Sequence, residues 1–252
     1  MSKQKVILHI PHSSLNIPFS DGFTISDDEI DQELLKLTDR YTDDLFHSPH
    51  DEAIVAGFSR IFCDPERFPN DEDEVMAQFG MGVLYEKSDD GKEIREVSPE
   101  LRQIIMDGYY HEHHRAFNQA VNLQLQYFEK ALIIDCHSYP GKPLKRDLDQ
   151  TPDRPDFNIG TDLFHTPQLL IDISVDFFDK AGYSLGIDWP YKGAIVPMQH
   201  YRKNNKVFSI MLEINRVLYM NEATGEKTDR YEETKRVTSD YINTIKAALS
   251  RL

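Results

Sequence analysis

Several apolar segments of this sequence end abruptly in side chains that can do chemistry. Four of them, at residues 6–14, 60–67, 132–140 and 207–216, end near His12, Arg67, His137 and Glu213. Short apolar runs without clean alternation are typical of strands buried on both faces of a largely parallel sheet. Because ligands of open α/β sheets bind outside the carboxyl ends of the strands, the pattern predicts one shared site.

Glu213 is the most informative of these residues, because a buried carboxylate without a partner costs several kcal/mol. It must be paired with a lysine or arginine, such as Arg216, or be protonated, or face a polar cleft. Two strand-end histidines, His12 and His137, accompany it. With one loop carboxylate they make up the residue types of a hydrolytic zinc site, in which three protein ligands leave one position for water.

The other histidines are less suited to this role. The segment His111–Arg115 reads HEHHR, so it lacks the second histidine at i+4 that a metalloprotease helix needs. His9 would point differently from His12, whereas His114 could reach the cleft from its helix. Surface positions are expected for the remaining isolated histidines, His47, His50, His165 and His200. The sequence contains no Gly-x-Ser-x-Gly elbow and no phosphate-binding glycine loop.

The elements that must position these residues alternate along the chain. Strands are predicted at residues 5–10, 52–56, 60–63, from 132 onward and at 194–198. Ser26 and Glu29 form a capping-box pattern for a helix to about residue 37, and Ser98-Pro99 starts a long helix to about residue 130. Further helices are expected at about 167–180 and 230–252, with a loop at 141–160. This order predicts an α/β fold.

Composition narrows the class of protein. The 252 residues suit one domain, and 28 Lys+Arg against 43 Asp+Glu give a formal net charge of -15, which disfavours nucleic acid as a partner. No apolar run is long enough for a membrane span, and no signal peptide is recognisable. Cys63 and Cys136 lie inside apolar runs and are expected to be buried, unpaired thiols of a cytoplasmic protein.

Six segments in this order resemble the N-formylglutamate amidohydrolase family, which is similar in fold to zinc-dependent exopeptidases. They are HIPHSS at 9–14, DRYTDDLF at 39–46, SR at 59–60 with DPERFP at 64–69, DCHS at 135–138, PYKG at 190–193 and EINR at 213–216. The resemblance covers nearly the whole chain. It implies a three-layer α/β fold with a mixed, mostly parallel sheet and helices on both faces.

The resemblance also implies roles for particular residues. His12 and His137 would be zinc ligands, with the third ligand from the 39–46 segment; Asp43 is preferred and Asp39 is the alternative. Glu213 would be the general base. Asp135, two residues before His137, would orient a ligand imidazole.

Arginines complete the expected site. Arg60 would stabilise the oxyanion, and Arg67 and Arg216 would hold the substrate carboxylate, with His114 nearby. Pairing of Arg60 and Arg67 with Asp64 or Glu66 is the competing interpretation. The expected reaction is release of formate or a small acyl group from an N-acyl acidic amino acid, a small-molecule substrate.

One departure bears on the substrate. The family pattern Asp-x-Asn-Arg is here Asp64-Pro65-Glu66-Arg67, so an acid replaces a neutral amide where the substrate carboxylate is expected. If Glu66 faces the pocket, it disfavours a dicarboxylate. The alternatives are a carboxypeptidase or amidase that acts on a peptide-like substrate, and a metal-dependent binding protein without catalysis. Oligomeric state is not fixed by the sequence.

Overall fold

A computed structural model of the chain describes residues 5–252. The first four residues, which also enter the expectation that the chain has no signal peptide, lie outside the described part. The strands are β1 Ile7–Ile10, β2 Glu52–Val55, β3 Ala131–Tyr139, β4 Phe157–Gly160, β5 Leu185–Ile187 and β6 Val207–Asn215. The α-helices are α1 Asp27–Leu37, α2 Thr42–Leu45, α3 Pro99–Ile105, α4 His111–Phe128, α5 Gln168–Ala181 and α6 Tyr231–Ala247.

The strands form one sheet in the order β2-β1-β3-β6-β4-β5. All neighbouring strands are parallel except β4 and β6, which are antiparallel, so the sheet is mixed and mostly parallel as expected. Every residue of β3 is buried, which agrees with its continuous apolar sequence.

Helices cover both faces of this sheet. On one face Leu132 and Ile134 of β3 belong to a core shared with α5 and α6. On the other face Ala131 and Ile133 pack with Phe117 of α4. Successive residues of one strand point to opposite faces, so this division confirms the three-layer α/β arrangement.

Local sequence signals set the ends of several helices. Ser26 and Glu29 form both hydrogen bonds of a capping box at the start of α1. Ser98 caps α3 with Pro99 at its first position, and Gly182 ends α5 in the left-handed region, at φ 79°. The long helix predicted after Pro99 is interrupted by a π-helical turn at Met106–Tyr110 before α4 begins. No helix in residues 5–252 is long and apolar enough to cross a membrane.

Two strand predictions were wrong. Residues 60–63 form a turn, in which the amides of Phe62 and Cys63 bond to the carbonyl of Ser59, and residues 194–198 are not a strand either. Conversely, β4 lies at the end of the predicted 141–160 loop, and the three-residue β5 pairs with it. A short apolar run does not distinguish a strand from a buried turn, and strands of three or four residues carry little periodicity.

The sheet register brings polar groups of neighbouring strands side by side. His9 of β1 lies beside Asp135 of β3, and His137 of β3 lies beside Glu213 of β6. His9 and Asp135 form one row of side chains across β1 and β3, and His137 and Glu213 form the next row across β3 and β6. The expected shared site therefore lies at this end of the sheet.

Candidate active site

The two histidines predicted to bind a metal meet at the end of the sheet. His12 follows β1 and His137 belongs to β3; they are 2% and 3% exposed. Their ring centroids are 5.0 Å apart. Residues 125 positions apart in the sequence are therefore close enough to bind one ion.

A carboxylate orients the ring of His12. Its Nε2 lies 2.8 Å from Asp64 Oδ1. Asp64 also accepts hydrogen bonds from Arg60 and from the Tyr85 hydroxyl. The other ring nitrogen, Nδ1, is buried and has no hydrogen-bond partner among residues 5–252. A buried imidazole held through Nε2, with Nδ1 unpartnered, is how a protein presents a metal ligand.

Asp39 lies between the two histidines. Its Oδ2 is 3.1 Å from His137 Nδ1 and 3.7 Å from His12 Nδ1. Its other oxygen, Oδ1, accepts a hydrogen bond of 2.8 Å from Arg216 Nη2. Burial alone would raise the pKa of Asp39, but the neighbouring rings of His12 and His137 and the Arg216 charge hold it well below its usual range. Asp39 is therefore a carboxylate at the site.

The opposite side of the His137 ring faces two further acids. His137 Nε2 lies 3.1 Å from Asp135 Oδ1 and 3.0 Å from Glu66 Oε2. Burial would lower the pKa of His137, yet the charges of Glu66 and Asp135 raise it well above its usual value. The environment of this ring thus favours positive charge.

Glu213 lies beside His137 on the neighbouring strand and is 6% exposed. Its Oε2 is buried without a hydrogen-bond partner among the described residues, and burial raises the pKa of the carboxyl group to about 8. No ion pair joins Glu213 to Arg216 within residues 5–252, so the pairing interpretation of Glu213 is wrong in this structure. Glu213 has the high proton affinity that a general base uses.

The three arginines have different partners. Arg60 donates to Asp64 and to Tyr85, and Arg67 Nε lies 3.8 Å from Asp64 Oδ2, so the predicted pairing with Asp64 exists. Their side chains remain 16% and 20% exposed. Arg216 is 3% exposed and bonds to Asp39 and to the Lys36 carbonyl. Arg216 therefore supports Asp39, and its expected role as a substrate contact stays a prediction.

Asp43 and His114 are not brought to the cluster. Asp43 is exposed on α2, and no described contact joins it to His12 or His137, so the preference for Asp43 over Asp39 needs correction. His114 Nε2 instead bonds to the carbonyl of Pro65, where it supports the 64–67 loop. The predicted surface positions of His165 and His200 are wrong, because they are 0% and 6% exposed. Cys63 and Cys136 are free and buried, as predicted.

The sequence interpretation placed Glu66 near the substrate carboxylate and did not predict its contact with His137. Its amide bonds to Asp64 Oδ1 at 3.0 Å, and its carboxylate turns toward His137 instead of lying open to a substrate. The acid at a position where the family pattern has asparagine was the sequence signal that could have indicated this contact.

The donor set fits a divalent ion. Five carboxyl groups and three guanidinium groups occupy the site, so negative groups are in excess; they are Asp39, Asp64, Glu66, Asp135, Glu213, Arg60, Arg67 and Arg216. The unpartnered His12 Nδ1 and Glu213 Oε2 are the kind of buried polar atoms that an ion and its water satisfy. Buried His, Glu and Asp groups here could hold a metal ion.

Comparisons with known proteins agree with this fold and this site. A model of the N-formylglutamate amidohydrolase family matches residues 4–220. The crystal structure of N-formylglutamate amidohydrolase from Ralstonia eutropha JMP134 is similar, with a TM-score of 0.87 and 23% identity over 100% of this chain and 96% of that chain. The crystal structure of gene product Atu2144 from Agrobacterium tumefaciens has a TM-score of 0.68 and 16% identity over 99% of this chain and 92% of that one. Among curated proteins, none matches the chain.

The fold and the cluster define an α/β protein with a buried histidine and carboxylate site at the carboxyl ends of parallel strands. With the match over residues 4–220, the chain belongs to the N-formylglutamate amidohydrolase family. It is a hydrolase that acts on an amide bond.

Proposed function

We propose that the protein uses one zinc ion to hydrolyse the acyl amide of an N-acyl acidic amino acid such as N-formylglutamate. The observation that carries this proposal is the pairing of His137 with Glu213 across β3 and β6, next to the unpartnered Nδ1 of His12. A metal-binding group and a buried base therefore lie side by side.

The ligands we propose are His12, Asp39 and His137. Atoms bound to one tetrahedral zinc at about 2.05 Å are about 3.3 Å apart. The distances of 3.1 and 3.7 Å from Asp39 Oδ2 to the two Nδ1 atoms bracket that spacing. Asp64 and Asp135 then contact the Nε2 atoms of the two rings, which is the usual arrangement of carboxylates behind ligand histidines.

Glu66 offers a competing third ligand. A set of His12, Glu66 and His137 has ligand atoms within 4.8 Å of one another. We favour Asp39 because both Nδ1 atoms face its Oδ2, whereas Glu66 contacts His137 on Nε2. When bound, zinc would act as a Lewis acid on the acyl carbonyl and lower the pKa of a neighbouring water.

Glu213 is the proposed general base. A carboxylate buried at 6% exposure with a free oxygen binds a proton strongly, so it can accept one from the attacking water. The same group can then return the proton to the leaving amine.

Arg60 and Arg67 are the proposed contacts for negative charge. Both guanidinium groups lie beside Asp64, and their side chains are 16% and 20% exposed, so a substrate can reach them. Arg60 would stabilise the charge that develops on the acyl oxygen, and Arg67 would bind the substrate carboxylate. The Glu66 carboxylate is 3.0 Å from His137, so its repulsion of an acidic substrate is reduced.

Replacing Glu213 with glutamine tests the mechanism. Glu213→Gln keeps the shape of the side chain but cannot accept the proton, so kcat for N-formylglutamate should fall by about 10²–10⁴-fold while zinc content is unchanged. Glu112→Gln, an exposed change on α4, is the control and should keep full activity. A rate for Glu213→Gln within threefold of wild type would remove Glu213 from the mechanism.

A release assay tests the substrate class. N-formylglutamate, N-acetylaspartate and short formyl peptides are compared at equal concentration. The proposal expects the N-acyl acidic amino acids to be hydrolysed with the highest kcat/KM. Preference for the peptides would support a peptidase, and no turnover of any compound would contradict the proposed substrate class.

A further inference from the structure

A second group of potential metal ligands lies next to the first. His9, Glu66 and Asp135 each offer a ligand atom, and these atoms lie within 4.8 Å of one another. We propose that these three residues bind a second divalent cation beside the ion of the active site. The proposal extends the proposed function and rests on the presence of that first ion.

Glu66 connects the two sites. Its Oε2 is 3.0 Å from His137 Nε2 and its Oε1 is 3.5 Å from His9 Nδ1. Oε1 is buried and has no hydrogen-bond partner among residues 5–252. The carboxylate thus directs an unsatisfied oxygen toward His9.

The spacing of the donor atoms suits a small cation. The 3.5 Å between His9 Nδ1 and Glu66 Oε1 is close to the distance of about 3.3 Å between ligands of a tetrahedral ion. His9 Nδ1 and Asp135 Oδ1 are 2.9 Å apart and would need to separate by a few tenths of an ångström. Asp135 Oδ2 accepts from the amide of Ile195, so the proposed ligand atom is Oδ1, which also lies 3.1 Å from His137 Nε2.

Contacts on the other side of His9 fix its ring. Phe117 stacks on it with a centroid distance of 4.5 Å, and His9 Nε2 lies 2.9 Å from His113 Nε2. When His9 donates in this hydrogen bond, the lone pair of its Nδ1 faces the two carboxylates, and a cation is needed between them. In the other tautomer Nδ1 carries the proton, and His9 only positions Asp135.

Only some family members would have this second site. Glu66 stands where the family pattern has asparagine, and an amide does not supply the negative charge that a third ligand brings here. His137 lies between the two sites, with Nδ1 toward Asp39 and Nε2 toward Glu66. Two ions would therefore lie on opposite sides of one imidazole ring.

Metal stoichiometry tests the proposal on the full-length protein. Metal-free protein is titrated calorimetrically with Zn²⁺ and with Mn²⁺, and bound metal is measured after dialysis. Wild type should bind two equivalents, and His9→Gln should bind one. His200→Gln, a buried histidine that bonds to Asn122 outside both sites, is the control and should bind two.

A second variant keeps the test decisive if His9→Gln does not fold. Glu66→Gln preserves side-chain volume and should also bind one equivalent, held by His12, Asp39 and His137. In the Mn²⁺-loaded wild type, electron paramagnetic resonance should show coupling between two ions, and this coupling should be lost in both variants.

The outcomes separate this proposal from the proposed function. If wild type binds one equivalent of metal and His9→Gln binds the same amount, the second site is overturned and the first remains intact. Two equivalents in His9→Gln also overturn it, because the second ion then lies elsewhere. No bound metal in wild type overturns both sites, and loss of all metal in Glu66→Gln assigns Glu66 to the first.

Discussion

Replacing Arg216 with glutamine tests whether this arginine supports the site or binds substrate. Arg216 Nη2 and Asp39 Oδ1 are 2.8 Å apart, and the two side chains are 4% and 1% exposed. Removing one partner of a buried ion pair leaves an uncompensated charge, which costs about 3–5 kcal/mol. For a chain of this size 1 kcal/mol shifts Tm by about 2–4 °C, so Tm should fall by roughly 6–20 °C.

The assay is thermal unfolding of the metal-free protein, followed by calorimetric titration with Zn²⁺. Because Arg216 holds Asp39, Arg216→Gln should also weaken zinc binding by about 10–100-fold. The double variant Arg216→Gln with Asp39→Asn should recover part of the lost stability, since no uncompensated charge remains. Arg230→Gln, which removes an exposed pair with Glu233, is the control and should leave Tm nearly unchanged.

The reasoning is refuted if Arg216→Gln melts within 2 °C of wild type and only KM for N-formylglutamate rises. That result would restore the substrate-binding role predicted from the sequence. A fall in Tm without recovery in the double variant would show that the effect does not arise from the pair with Asp39.

Two further predictions concern substrate binding and pH. Arg67→Gln should raise KM for N-formylglutamate by about 10–150-fold, because a hydrogen bond to a charged group contributes about 1.5–3 kcal/mol to binding. The change in kcat should be smaller. An unchanged KM in steady-state assays would contradict this prediction. Burial lowers the pKa of His114 to about 4, below the 6.5 of the unfolded chain. The folded state therefore stays neutral at His114 while the unfolded state gains a proton, so stability is lost as pH falls from 6.5 toward 4. Urea titrations across this range measure how steeply the free energy of unfolding falls with pH. This slope should be smaller in His114→Gln than in wild type, by up to about 1.4 kcal/mol per pH unit, and the exposed change His111→Gln should leave it as in wild type. Equal slopes for wild type and His114→Gln would show the assignment to be wrong.

Much of the fold could be predicted because its central strands are strongly apolar. The runs that became β1, β3 and β6 are long enough to identify from sequence, and so are the capping residues Ser26 and Ser98. Strands β4 and β5 were missed, because glycine interrupts both short sequences, FNIG and LGI, and their stability comes from pairing with strands distant in the sequence.

Side chains of the cluster could be predicted where a strand determines their direction, and the prediction was less accurate where a loop determines it. His12, His137 and Glu213 were found from the ends of apolar runs. The choice between Asp43 and Asp39 depends on where the helix of the 39–46 segment begins, which the sequence does not show. In the structure Tyr41 adopts the left-handed region at φ 69°, α2 begins only at Thr42, and the Asp39 amide bonds to the His12 carbonyl. The direction of Glu66 likewise depends on tertiary hydrogen bonds that no local pattern encodes.

The central claim is that His12, Asp39 and His137 hold the catalytic ion beside Glu213. Anomalous X-ray scattering from zinc-soaked crystals tests this most directly. We expect a peak at bonding distance from Nδ1 of both histidines and Oδ2 of Asp39, with Glu213 facing it. A zinc peak that lies beside Asp43 or Glu66 without contacting Asp39, or no peak at the end of the sheet, would contradict the account.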